Sequence, residues 1–280
     1  MVETVAPKPN FLARLLRRPP VIPVVRLQGV IAADQRPGRL NIDSVDPLLK
    51  RAFDMKAAPV VAIVVNSPGG SPVQSRLISN RIRQLADQKG KRVLVFVEDA
   101  AASGGYFIAV AGDEIIADPS SIVGSIGVIM AGFGFVGALE KLGIERRVHT
   151  AGRNKSTLDP FLPEKYEDVE RIKRFELDIH QVFIEHVKRH RAGRLKADDD
   201  VLFTGEWWPG LRGLDLGLVD SLGELHTVLR ERYGQNIVLK PIAAKRPFFA
   251  MPRLGFSASG VVEELATSVE DRALWARLGL

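Results

Sequence analysis

The sequence predicts an α/β fold with a largely parallel sheet and flanking helices. Three observations predict it. Short β-branched apolar runs alternate with amphipathic helical stretches. The joints between them draw on 25 glycines in 280 residues. The chain is 46% hydrophobic and long enough to bury one large core. Strand, glycine turn and helix in alternation build parallel sheets, and ligand sites in such sheets gather at the carboxyl ends of the strands.

The elements follow in order. Residues 1–23 read as an N-terminal arm. Within it, Pro7, Pro9, Pro19 and Pro20 bracket NFLARLLRR. On a helix, Phe11, Leu12, Leu15 and Leu16 would share a face opposite Arg14, Arg17 and Arg18, a pattern that suits an anionic membrane or a neighbouring subunit. VIPVVRLQGVI (21–31) opens the core as a strand, and NIDSVDPLLKRAFDM follows as a helix. PVVAIVVNSPGG (59–70) is the clearest buried strand and ends in a Pro-Gly-Gly turn. PVQSRLISNRIRQLADQKG is an amphipathic helix stopped at Gly90, and KRVLVFVED is the next strand. A helix is expected to start near Ser103. DEIIAD, GSIGVIM and IERRVHTAG are expected as short strands, with GALEKLG a helix between the last two. From Pro163 to about His190, Tyr166, Val169, Ile172, Phe175, Ile179, Val182 and Phe183 form one apolar stripe on a helix of roughly seven turns. Its charged remainder, with His180, His186 and His190, reads as a solvated face. Trp207 and Trp208 read as core packing. The 241–280 extension is apolar and broken by proline, then helical, and suits contact with an oligomer partner or a membrane.

Composition excludes several classes. Cysteine is absent, so disulfides, a cysteine nucleophile and cysteine-ligated metals are out. The net charge is +6, but no recognition motif accompanies it, so nucleic acid is not an expected partner. No stretch approaches the roughly 20 apolar residues that span a bilayer, and Arg14, Arg17 and Arg18 follow Phe11 and Leu12 with no long apolar region, unlike a secretory signal. The expected location is cytoplasmic or peripheral at a membrane.

The chemistry centres on Ser103. Ala101-Ala102-Ser103-Gly104-Gly105 is a relaxed match to the G-x-S-x-G elbow, which lifts a serine at a strand-to-helix turn. A serine nucleophile also needs a base and an oxyanion hole. None of the five histidines has a persuasive aspartate partner. Lys155, in a polar turn, is the other candidate, because a lysine in its neutral form can take a proton. Taken singly, Ser103, Ser125, Gly70 and Lys155 are equally compatible with packing, capping and a plain surface charge.

Four ordered stretches change that balance: NSPGG (66–70), ASGGYFIAVAGDEIIADPSSIVGSIGV (102–128), AGRNKSTLDPF (151–161), and FTGE with LGLVDSLGEL (203–206 and 216–225). Together they resemble the signal peptide peptidase A family, Ser–Lys proteases on the Clp protease/crotonase fold. The resemblance covers about residues 24–240, in a single copy of the fold. It implies Ser103 as nucleophile, Lys155 as general base, Gly70 and Gly104 as oxyanion-hole donors and Ser125 as the residue orienting the lysine. It further implies no cofactor and no metal, peptide substrates that are membrane-derived or remnant signal peptides, a ring-shaped homo-oligomer, and peripheral membrane contact. Against the family pattern, no N-terminal anchor is visible, and the Trp207-Trp208 pair replaces an alanine-rich stretch. A crotonase-type acyl-CoA enzyme and a non-catalytic membrane scaffold are the alternatives.

Overall fold

The computed structural model describes residues 19–36, 38–243, 269 and 271–280. The amphipathic reading of 11–18 and the proline-broken part of the extension lie outside the described residues.

The sheet is built around β4 (Val61–Ser67), between β1 (Val21–Gln28) and β5 (Val93–Ala102). All three run parallel, and β6 (Glu114–Ala117), β9 (Ser221–Leu222) and β10 (Val238–Pro241) extend the sheet in the order β10-β1-β4-β5-β6-β9. Beyond this path, β7 (Ile122–Gly124) pairs in parallel with the end of β5, and β8 (Trp207–Pro209) pairs antiparallel with β7. A second pair, β2 (Val30–Ile31) with β3 (Arg39–Leu40), lies beside the main sheet.

Every residue of β4 is buried, as a strand covered on both faces requires. Side chains alternate between two cores. On one face Val25, Ile63, Val65 and Val95 pack against α1 (Ile42–Phe53) and α2 (Pro72–Lys89). On the other, Val24, Ala62, Val64, Leu94 and Phe96 pack against Val228 and Leu229 of a C-terminal helix. Each fully buried valine, leucine or isoleucine contributes roughly 1.5–3 kcal/mol. The helix stops follow from local chemistry. Asn41 and Ser44 form a reciprocal capping box on α1, while Ser71 caps α2, Pro72 opens it and left-handed Gly90 ends it.

After β5 comes the short α3 (Gly104–Ala109). Two expected strands are absent. In GSIGVIM only Gly124 lies in a strand, and the chain leaves the sheet at Ser125; IERRVHTAG forms none. Alternation marks a two-faced segment, but a strand also needs a neighbour's backbone, and Ile144 is 54% exposed with no strand beside it. The helix between them, α4 (Val136–Lys141), buries no residue. The long helix α5 (Tyr166–His190) forms as its stripe predicts. It is followed by α6 (Asp199–Leu202), α7 (Gly210–Leu216) and α8 (Leu225–Tyr233).

Three details correct or refine the side-chain reading. His186 is not solvated: it is buried, stacked on Phe107 with ring centroids 3.8 Å apart. The tryptophans divide, with Trp208 buried against Gly124 and Trp207 43% exposed. The described end of the C-terminal extension is helical over 271–276 and packs Leu278 on Ala100 and Ala102, while Asp271 pairs with Arg39.

Candidate active site

The site forms where β4 and β5 end, side by side in the sheet. Leaving β5, the chain turns at Ser103 with φ 51° and ψ −120°, a conformation disfavoured for a residue with a side chain. Such backbone costs on the order of 1–3 kcal/mol and persists only where its surroundings enforce it. Here they do. The Ser103 N–H donates to the Gly124 carbonyl at 2.9 Å, continuing the β5–β7 pairing by one residue. The Phe107 N–H donates to the Ser103 carbonyl at 2.9 Å, closing the first turn of α3. The Ser103 side chain makes no capping bond to α3, so its hydroxyl is left for other work.

Two glycines carry the turn after β4. Gly69 has φ 105°, and a methyl there would lie 2.8 Å from Ser103 Cβ and 2.9 Å from the Gly104 nitrogen. Gly70 has φ 137°, and a methyl there would lie 2.0 Å from the Ile31 carbonyl oxygen. Ile31 pins this turn from its far side: its N–H donates to the Gly69 carbonyl at 2.9 Å, and its carbonyl accepts from the Ser71 N–H at 2.7 Å. Gly104 is equally confined, since a methyl on it would sit 2.4 Å from Ser75 Oγ and 3.3 Å from the Gly70 nitrogen. The Gly70 and Gly104 amides are therefore close neighbours beside Ser103. Gly104 is the first residue of α3, where a helix leaves its N–H groups without intrahelical acceptors.

Ser103, Gly70 and Gly104 open onto one cavity of about 440 Å³. One wall is the start of α2, with Pro72, Val73 and Arg76; another is α5, with Phe175, Ile179, Val182 and Phe183. Phe107 and the irregular segment 127–130 complete it. That segment is held by α5: Glu176 Oε1 accepts from the Met130 N–H at 2.7 Å, and the His180 ring meets the Ile126 carbonyl at 2.9 Å. Behind the wall, His186 Nε2 lies 3.1 Å from both the Phe107 carbonyl and Ser79 Oγ. Burial, with the neighbouring His190 charge adding to it, pushes its pKa down to about 3, so it is a neutral structural tie between α3 and α5.

Of the five residues expected at the site, three meet at this cavity. Ser125 stands beside them at the end of β7, with φ 53° and its N–H bonded to the Glu206 carbonyl at 2.7 Å. Lys155 does not line the cavity. It is exposed, in a turn moored to α5 where Arg171 donates to Asn154 Oδ1 at 2.9 Å and to Thr157 Oγ1 at 3.2 Å. Sequence reasoning missed Ile31, Ser75, Arg76, Phe107 and segment 127–130. Only the α5 stripe carried a signal, because its period marks an apolar face without saying what the face meets.

A serine held on a strained strand-to-helix turn, with paired glycine amides beside it and an apolar cavity in front, can carry out acyl transfer. Known proteins point the same way. The model of peptidase family S49 matches residues 85–236. The chain is 30% identical over 230 residues to the chloroplastic serine protease SPPA of Arabidopsis thaliana, covering 81% of this chain and 33% of that one. It is 51% identical over 292 residues to a Brucella abortus protein named Na(+)/H(+) antiporter NhaA, covering 97% of this chain and 39% of that protein. The chain thus spans well under half the length of either relative. The solved structure of 1510-N, a membrane-bound stomatin-specific protease, superposes with a TM-score of 0.50 at 14% identity, over 82% of this chain and 100% of that one. Among the described residues no helix is long and apolar enough to cross a membrane. With more than half its length matched by the family model, in a stretch that includes Ser103 and Gly104, the chain belongs to peptidase family S49.

Proposed function

We propose that the protein is a serine endopeptidase in which Ser103 is the nucleophile and Lys155 the general base. The observation that carries this reading is the Ser103 turn, strained at φ 51° and flanked by the Gly70 and Gly104 amides. In the proposed reaction, neutral Lys155 takes the Ser103 proton as Oγ attacks the scissile carbonyl. The two amides hold the oxyanion, and the protonated lysine then passes its proton to the leaving amine. Water, deprotonated by the same lysine, hydrolyses the acyl-enzyme. Ser125, one residue beyond the strand that anchors Ser103, is the residue proposed to orient the lysine. Peptide chemistry of this kind calls for no metal or cofactor.

Lys155 is exposed and outside the cavity of its own chain, which supports a site completed by a second copy. We place the lysine turn of one copy at Ser103 of the next, in a closed homo-oligomer. Support comes from the 128–162 region, where Ile129, Phe133, Leu142 and Ile144 are each more than half exposed. Residues 24–240 form the proposed peptidase domain, on a Clp protease/crotonase-type fold. The apolar cavity suits membrane-derived or remnant signal peptides. A relative named as an antiporter carries a region like this chain, which supports a working place beside a membrane.

The test is a peptide library incubated with purified wild-type protein and with Ser103→Ala. Cleavage by the wild type alone supports the reading, and equal cleavage by both sinks it.

A further inference from the structure

The cavity beside Ser103 has two charged side chains in its lining, Arg76 and Glu176. Their situations differ. Glu176 is already used, its carboxylate accepting from the Met130 N–H at 2.7 Å and so fixing the 127–130 wall. Arg76 lines the same cavity and has no hydrogen bond or ion pair to any other described residue.

The helix end near Arg76 is positive as well. It lies on α2 three residues after Val73, so the two side chains share the face turned to the cavity. The first turn of the 18-residue α2 has no acidic residue. Helix starts ordinarily favour acidic groups, because their free N–H groups make that end positive. Here an arginine sits close to that end, where the helix gives it no help. The charge and the helix end both favour an anion arriving from outside the chain. Arg76 is exposed at the mouth of the cavity, so its guanidinium can meet an anion carried by a ligand whose apolar part enters the apolar lining.

We propose that Arg76 is a specificity-determining residue: its guanidinium binds a carboxylate of the peptide whose apolar side chain fills the cavity. The planar guanidinium matches a carboxylate with two parallel N–H···O bonds. The carboxylate comes either from an aspartate or glutamate side chain or from the free C-terminus of a short peptide. Both sources have the chemistry that Arg76 recognises. This inference deepens the peptidase reading and rests on it for the substrate class.

The experiment uses the full-length assembled protein and matched peptides with a leucine-rich core. In one series a single glutamate is moved through the flanking positions, each peptide paired with its glutamine twin. In the other the peptide ends in a free carboxylate or an amide. Binding is read by fluorescence anisotropy on Ser103→Ala, and cleavage as kcat/KM on the wild type. At one placement the carboxylate peptide is expected to bind and react at least about tenfold better than its neutral twin, the scale of a charged hydrogen bond. Arg76→Gln removes the difference between twins, and Arg76→Glu turns it toward lysine-bearing peptides. A response in the glutamate series identifies a side chain as the source, and a response to amidation identifies the C-terminus. Equal treatment of all twins by the wild type overturns the proposal, as does a preference that survives Arg76→Gln. Preferential binding without any cleavage would uphold the role of Arg76 and sink the peptidase reading. Cleavage without preference would do the reverse, and neither binding nor cleavage would overturn both.

Discussion

The sheet that carries Ser103 and the region that carries Lys155 are products of one chain under opposite conditions. In β4 every residue is buried; in α4 none is. Around Ser103 the backbone is so tightly held that four glycines, Gly69, Gly70, Gly104 and Gly105, have no room for a methyl group. Around Lys155 the chain is exposed and moored by side-chain contacts, from Arg171 to Asn154 and Thr157 and from Arg146 to Asp159. The proposed nucleophile and oxyanion donors are thus fixed by the packing of a single chain. The proposed base sits where that packing ends. Under the proposed reading, one half of the chemistry is held rigid and the other half depends on assembly.

The largest expected effects separate the two regions by mixing. Ser103→Ala and Lys155→Ala should each lower kcat by about 10⁴-fold or more while leaving the circular dichroism unchanged. If the lysine serves a neighbouring copy, the two inactive variants, unfolded and refolded together, regain part of the activity. Activity that stays absent in a properly assembled mixture would place Ser103 and Lys155 in the same chain.

Next comes the rigid half alone. Gly70→Ala puts a methyl 2.0 Å from the Ile31 carbonyl oxygen, so the turn must shift and carry its amide with it. Loss of one oxyanion donor costs about 10²–10³ in kcat, so a fall of that size with little change in KM is expected from steady-state kinetics. In the uncovered half, Phe133→Asp with Leu142→Asp should shift the sedimentation profile toward smaller species and lower activity with it. The unfolding free energy of each chain should change by no more than about 0.5 kcal/mol per substitution, as at other exposed positions.

The smallest effect concerns His186. Its pKa is depressed to about 3 in the folded chain, against an ordinary value of 6.5. Between those values the unfolded state binds the proton and the folded state does not, so stability is lost as pH falls from 6.5 toward 3. The slope contributed by this one group approaches about 1.4 kcal/mol per pH unit. Urea titrations of wild type and His186→Phe between pH 7 and 5 should show the wild type losing more stability. Parallel slopes would mean that His186 is charged or solvated in the folded state.

The sequence made the rigid half legible and the uncovered half less so. PVVAIVVNSPGG names both a buried strand and its turn, because burial on two faces and a positive φ each leave a local mark. Ser103 stands out for the same reason. Ile31 leaves no such mark: it fastens Gly69 and Ser71 through its backbone, from 38 and 40 positions away. The expected strand at IERRVHTAG failed because alternation reports two faces and cannot report whether another strand is there to pair. His186 was hidden by its charged helix, since the buried contact with Phe107 depends on how α5 crosses α3.

The most direct test is covalent labelling of Ser103 by a fluorophosphonate, with the modified residue located by mass spectrometry. The assembled wild type should be labelled at Ser103, and Lys155→Ala should be labelled far more slowly. A folded, assembled wild type that resists the reagent would contradict Ser103 as nucleophile. Undiminished labelling of Lys155→Ala would contradict the lysine as its base.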